Sequence, residues 1–507
     1  MHVKKEGDTV AINPSNYETQ MMITQFAGID QRQGDSAVSL AYAYKAENVH
    51  TERGMLESAG GYEPAMPPLT AAIGTLARFY RRSIEQEDER EVFVAATLDG
   101  IYTWTAGTDA WIRRYPAEGT LYKDAWSYVT YETVRNAATV DVLLMTNDRD
   151  GMVIVYGDDL SAQKIEINMA SGGKTLKFSH IERHNERIWG CGQPGEPDNL
   201  YYSRPYEILS WDPIEGTPEL GGGMIQQPTW DGDEFIALRR FGAYLVACKK
   251  RSMWLIRGTD PSTFTIEEVY GSDAPASAAS IAVDGAQMFY LSESGIGVYD
   301  GSAAQLLDKN ALYETMMLRA PGCEERATAC VARHVYYLAL AVRNDAYEEG
   351  NIENNTIIEY DTIRGTFLLR TGIPVRSMYA AGGKVYFTTS MQPYQVFTLG
   401  SGTGYNGQSV HAYWQTGWMD LGGKNVQKSA FELRFYAKGE TGATMTLTVE
   451  TERKEKQKSV ALYETGKMHK VRIANRGKRF RLKIETEGTQ AWSIMGGMQI
   501  NMDIDGE

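Results

Sequence analysis

The sequence predicts an all-β chain: a β-propeller of about seven blades (six to eight), followed by a C-terminal β-sandwich of jelly-roll type. Three observations predict it. First, a short apolar strand, a tight polar turn and a second apolar strand recur seven times, as in Glu91-VFVAAT-LDG-IYTW and Ala243-YLVACK-KRS-MWLIRG. The second strands start at Ile101, Met152, Leu200, Met253, Ile296, Thr356 and Gln395, so the gaps run from 39 to 60 residues. A hairpin repeating at roughly 40–50 residues is the spacing of four-stranded propeller blades. Second, helical periodicity is thin, whereas Tyr (30) and Gly (50 against 16 Pro) are abundant, as half-buried strands and tight turns require. Third, the pattern changes after Gly400 to strict apolar–polar alternation, as in Phe431-ELRFYA, Met445-TLTVET and Arg479-FRLKIET.

These patterns divide the chain into four parts. Residues 1–64 form a polar, extended N-terminal segment that either completes a blade or contacts a neighbour. Within it, Ala37-VSLAYAYKAENV reads equally as a short helix or a strand. Residues 65–400 carry the repeats. Arg78-FYRRSIEQEDERE is either a helix or a strand pair with an acidic turn, and Leu306-LDKNALYETMML is the best short-helix candidate. Gly195–Gly223 and Arg343–Asn355 read as long surface loops. Residues 401–409, Ser401-GTGYNGQS, read as a linker, and residues 410–507 as the sandwich.

Composition narrows the function. The chain has 507 residues and a net charge of −14, from 51 Lys and Arg against 65 Asp and Glu, which disfavours wrapping nucleic acid over the whole surface. The four cysteines, Cys191, Cys248, Cys323 and Cys330, form no disulfide or zinc framework and imply a reducing, cytoplasmic site of folding. The N-terminus shows no apolar signal-peptide core, and no apolar run is long enough to span a membrane.

The individual motifs favour plain structural readings. Ser171-GGKT echoes the end of a phosphate-binding loop, but Asn168 stands where that loop needs Gly and strands follow instead of a helix. His180, Glu182 and His184 alternate on a strand, which suits a polar face better than a metal site with no fourth ligand. Asn147-DRDG has the oxygen-rich look of a calcium loop yet fits a hairpin turn with Gly151 at positive φ. Arg479, Arg481 and Lys483 alternate along one strand, either as a solvated face or as a contact surface for an acidic partner. No nucleophile motif is present, and no catalytic, cofactor-binding or metal residue is assigned. No cofactor is expected.

Several segments, in order, are similar to virion proteins of tailed phages. Phe26-AGID, Ala46-ENVHTERGMLESAGGY and Asp198-NLYYSRPYEILSWDP resemble that family's opening and middle motifs, although Ala27 and Ser58 depart from its Gly and Arg. Ser252-MWLIRGTDPSTF, Ser294-GIGVYDG, Trp414-QTGWMDLG and Trp492-SIMGGMQI resemble its later blades and terminal sandwich. The chain thus resembles the tail-nozzle β-propeller proteins of short-tailed phages. That resemblance implies a non-enzymatic virion protein made in the host cytoplasm. Copies, commonly six, would form a ring, contact neighbouring tail and adaptor proteins, and pass genomic DNA through the lumen without sequence-specific binding. Two other expectations remain open: a glycan-hydrolysing propeller with a carbohydrate-binding sandwich, and a host-glycan binding module without chemistry.

Overall fold

In the computed structural model, the described residues are 19–504, apart from 35, 37, 38, 83, 171, 172, 272, 308–310, 345–352 and 421–425. Six separate four-stranded antiparallel sheets, and a seventh formed by the first four strands of a nine-stranded sheet, make the blades. The seven hairpins read from the sequence are the second and third strands of these blades. Blade one, for example, runs Ile73–Tyr80, Glu91–Thr97, Ile101–Thr105 and Ile112–Tyr115. The first strands of the blades are Ile73–Tyr80, Ser127–Arg135, His180–His184, Phe235–Phe241, Ala282–Asp284, Thr328–Ala332 and Ser377–Ala381. They approach one another around a central axis, and the seventh lies against the first, which closes the ring.

Each blade buries both faces against its neighbours, so apolar runs such as Val142, Leu143, Leu144 and Met145 are fully buried. Odd and even residues of one strand enter different cores: Leu144 packs between blades two and three, while Leu143 and Met145 pack between blades one and two. The sequence ambiguity at Arg78 resolves into two strands, Ile73–Tyr80 and Glu91–Thr97, with a short 3₁₀ turn at Glu87–Glu89 between them. The helix expected near Leu306 shrinks to Tyr313–Met317, and residues 308–310 lie outside the described set. The stretch from Gly195 to Gly223 is more than a surface loop. It contains the strand Asn199–Tyr202 and returns Trp211, wholly buried, against Phe178 with ring centroids 5.0 Å apart.

The two ends of the chain are interwoven. Tyr62–Pro64 pairs with Val396–Leu399 as the outer strand of the seventh blade. Lys45–Glu47 pairs in parallel with the outer strand of blade six, through Glu47 and Leu369, and antiparallel with Val410–Gln415. One sheet therefore runs without a break from Thr328–Ala332 of blade six through Lys45–Glu47 to Val410–Gln415, Phe480–Gly488, Thr444–Thr451 and Glu455–Ala461. A second sheet joins Val49–His50, Leu56–Ser58, Trp492–Ile504, Lys428–Gly439 and Lys467–Gly477, with Thr19–Ile23 added along Trp492–Ile504.

The two layers share one apolar core, in which Phe431 meets Phe480 at 4.7 Å between centroids. Alternation is regular here: in Lys467–Gly477 every second residue from His469 onward is buried. The C-terminal layers are thus built from both ends of the chain, not from residues 410–507 alone. Nor is 401–409 a free spacer. Gly61 N–H donates to Gly402 O at 2.9 Å, Tyr62 N–H donates to Gly404 O at 3.1 Å, and Tyr405 is buried against Tyr62.

Candidate functional site

The first strands enclose an axial channel that is chemically lopsided. Along its middle a cavity of about 540 Å³ is walled on one side by Ala282, Ala329 and Ala380 of blades five to seven. The opposite wall carries Tyr128, His180 and Arg239 of blades two to four. Toward the turns that precede the first strands, a smaller cavity of about 320 Å³ contains the ion pair of Arg376 with Asp124.

At the other end the channel opens into a cavity of about 900 Å³. The strand His180–His184 brings Glu182 and His184 to its wall. The two-residue turn that follows, Asn185-Glu186, has φ of 48° and 57°, the left-handed pair that matches the twist of a tight hairpin. Asn185 Nδ2 donates to Gly258 O at 2.7 Å and so fixes this turn against blade four. Blade four adds Arg240 and Tyr244, blade one Arg78, blade two Tyr128 and blade seven Tyr379.

The charges of this mouth are mostly matched. Arg78 Nε lies 2.5 Å from Glu91 Oε1, and Arg183 Nη2 lies 2.8 Å from Glu186 Oε2 while its guanidinium covers the Tyr131 ring at 5.1 Å. Glu182 accepts from the backbone N–H of Arg183 at 3.0 Å and of Arg240 at 3.4 Å, with Arg239 at 3.9 Å. Burial pushes the Glu182 carboxyl upward, against the pull of Arg239. Arg240 is exposed and makes no close ion pair among the described residues, although its charge also acts on the Glu182 carboxylate; its Nε makes a 3.5 Å contact with Gly242 O. His184 is 3 % exposed, and its Nε2 is buried without a hydrogen-bond partner. Burial, then the Arg240 charge, lowers the His184 pKa to about 4, and burial with Arg239 lowers that of His180 to about 3. Both imidazoles are therefore neutral at neutral pH.

The alternating His180, Glu182 and His184 face the channel and its mouth, between blades three and four. No group of three His, Cys, Asp or Glu among the described residues could hold a metal ion. In Asn147-DRDG, Asn147 Oδ1 accepts from Arg149 N–H at 2.9 Å and Asp150 N–H at 2.6 Å, and Gly151 has φ of 89°. These are the contacts of a hairpin turn. Residues 171 and 172 lie outside the described set, and Ile167–Met169 pairs antiparallel with Lys174–Leu176 on either side of them.

The row Arg479, Arg481, Lys483 is largely compensated. Arg481 pairs with Glu450 at 2.5 Å, Lys483 with Glu485 at 2.7 Å and Arg479 with Asp420 at 3.6 Å, while Arg479 and Arg481 cover Trp418 at 5.5 and 4.8 Å. All four cysteines are free and buried. No helix among the described residues is long and apolar enough to cross a membrane.

The sequence reading missed Arg78, Arg240, Tyr128 and Tyr379 as members of one cavity. They lie in four different blades, and the usable signal was weak: a large polar or aromatic residue in the first strand of a repeat, just ahead of its hairpin.

No protein-family profile matches the chain, and no curated protein matches it. Solved structures do align with it. The WD40 domain of Neurospora crassa Pan2 has 12% identity over 68% of this chain and 95% of its own, with a TM-score of 0.37. The extracellular domain of the putative one-component system BT4673 from B. thetaiotaomicron has 12% identity over 74% and 52%, with a TM-score of 0.31. TmCBM61, solved with β-1,4-galactotriose, has 16% identity over 25% and 73%, with a TM-score of 0.15. The β-propeller assignment rests on the strand topology itself.

Proposed function

We propose that this chain is a structural protein of a phage tail, assembling with copies of itself into a ring or nozzle around the DNA exit path. One observation carries the reading: the N-terminal residues that resemble the virion family are the ones that knit propeller and sandwich together. Phe26 packs edge-on against buried Trp414 with centroids 5.0 Å apart. Ala46 pairs with Trp414, and Asn48 Nδ2 donates to His411 O at 2.8 Å and to Thr371 Oγ1 at 3.3 Å. Gly61 passes so close to Gly404 O that a Cβ would lie 1.9 Å from it. Segments of this kind serve rigidity: they hold two modules as one body, as a conduit wall needs when a genome moves past it.

Charge supports the same reading. Residues 410–507 carry 16 Lys and Arg against 12 Asp and Glu, a net +4, and residues 1–409 carry 35 against 53, a net −18. An acidic wall repels phosphates and lets DNA slide, while a basic sandwich is attracted to the acidic part of a neighbouring copy. Electron microscopy of the purified, concentrated protein should show closed rings. Particles that stay monomeric under those conditions would count decisively against the reading.

A further inference from the structure

The 900 Å³ mouth of the propeller channel plays no part in the assembly proposed above. The geometry points to a binding site there for a small carboxylate-bearing, hydroxyl-rich molecule, an acid sugar, with Arg240 as the carboxylate anchor and His184 as a hydroxyl partner.

Volume comes first. A cavity of this size matches the upper range of small-ligand sites and admits one or two sugar rings. Polarity comes second. Arg78 and Arg183 are already engaged by Glu91 and Glu186, so the anchor open to an incoming anion is Arg240. A planar guanidinium binds a carboxylate through two parallel hydrogen bonds. Third, His184 lies on the same wall with its Nε2 buried and unpartnered, and a small rotation of the ring toward the cavity would let a ligand hydroxyl make the missing hydrogen bond. A neutral imidazole offers both a donor and an acceptor, which suits a hydroxyl.

The remaining walls select the class. Arg78 and Arg183 are held by Glu91 and Glu186, and Arg239 leans on Glu182, so Arg240 matches the single charge of a carboxylate while the second charge of a dianion such as phosphate finds no further open cation. The carboxylates of Glu182 and Glu186 accept hydrogen bonds from sugar hydroxyls. The half-buried rings of Tyr128, Tyr244 and Tyr379 offer apolar faces to the C–H side of a pyranose, with Tyr244 backed by Arg257 at 4.7 Å.

Calorimetric titration of the full chain with glucuronate, glucose and inorganic phosphate tests the site. Glucuronate should bind, and glucose and phosphate should bind at least roughly tenfold more weakly. Arg240→Ala, at an exposed position, should weaken glucuronate by roughly tenfold or more with an unchanged melting temperature, and Arg240→Lys should recover only part of that. His184→Ala should also weaken binding, and Lys164→Ala, on an outer strand, should not. Absence of glucuronate binding, equal binding of phosphate or glucose, or indifference to Arg240→Ala overturns the assignment. The inference does not rest on ring assembly, which microscopy of the Arg240→Ala protein reads separately.

Discussion

Arg370 Nη2 and His50 Nε2 meet 2.8 Å apart at the seam where the sixth blade runs into the C-terminal layers. Arg370 also donates to the carboxylate of Glu359 and to the backbone oxygen of Gly60. Its side chain is 3% exposed and that of Glu359 7%. One guanidinium therefore ties the second-to-last and last strands of a blade to the N-terminal segment.

Removing one member of such a buried pair leaves the other charge uncompensated. Arg370→Ala should cost about 3–5 kcal/mol in denaturant unfolding. Joint replacement of Arg370 by Met and Glu359 by Gln should recover much of that loss, because the penalty lies in the orphaned charge. Equal losses in the single and double variants would refute this account.

The same cluster sets an acid limit. Burial pushes the Glu359 carboxyl up, but Arg370 and His50 outweigh it and hold it at about 2, below its ordinary 4.5. A depressed carboxylate stabilises the fold above its unfolded pKa, so this contribution is complete above pH 4.5 and is lost as the pH falls toward 2. Glu359→Gln should flatten stability in that window, as read by urea melts at successive pH values.

The channel histidines act in a higher window. His180 and His184 have pKa values lowered from 6.5 to about 3 and about 4, chiefly by burial. The unfolded chain takes up these protons first, so stability falls as the pH drops below about 6.5, by up to about 1.4 kcal/mol per unit for each group. His180→Asn should reduce the slope from pH 6.5 down to about 3, and the effect reads cleanly above pH 4.5, where Glu359 does not titrate. An unaltered slope would mean that His180 titrates normally.

What the sequence revealed follows from where the energy lies. The second and third strands of each blade are buried on both faces and joined by turns with strong local chemistry, so Val140-DVLLMT-NDRDG-MVIVY announces itself. The outer strand Tyr62–Pro64 has three residues, one of them proline, and exists only because Val396–Leu399 offers an open edge. No local pattern encodes such a long-range pairing. Lys45–Glu47 was ambiguous for the same reason: its neighbours in the sheet, Leu369 and Tyr413, lie more than 300 residues away in the chain. The mouth of the channel was illegible because its wall comes from Arg78, Tyr128, Glu182, Arg240 and Tyr379, which only ring closure assembles.

The proposed ring assembly should depend on salt. In Glu455–Ala461 the side chains of Lys456 and Lys458 are exposed on an edge strand that pairs on one side with Thr444–Thr451. Edge lysines discourage strand-to-strand aggregation, and they also present positive charge to an acidic copy of the chain. Raising the salt from ~0.1 M to ~0.5 M shortens the screening length from about 10 Å to about 4 Å and so weakens such exposed contacts, and the ring fraction in mass photometry should fall. Joint replacement of Lys456 and Lys458 by Glu should lower it at low salt too. Rings indifferent to both changes would place the interface elsewhere.

The closure of the propeller offers the sharpest structural test. Gly61 sits where a Cβ would lie 1.9 Å from Gly404 O and 2.5 Å from Gly404 C, backbone atoms that cannot rotate away. Gly61 N–H also donates to Gly402 O, and its own oxygen accepts from Gly400 N–H at 2.8 Å. Gly61→Ala must therefore push residues 400–404 off the N-terminal strand and loosen the outer edge of the seventh blade. The expected cost is about 1–3 kcal/mol or more. Hydrogen exchange should rise first in Tyr62–Pro64 and Val396–Leu399, ahead of blades two to four. Gly34→Ala is the control, because a Cβ at Gly34 meets nothing within 4 Å. Its φ of 62° should cost the fold a little strain but leave exchange in the seventh blade unchanged. If both variants exchange alike in the seventh blade, the close approach at Gly61 is not what closes the ring.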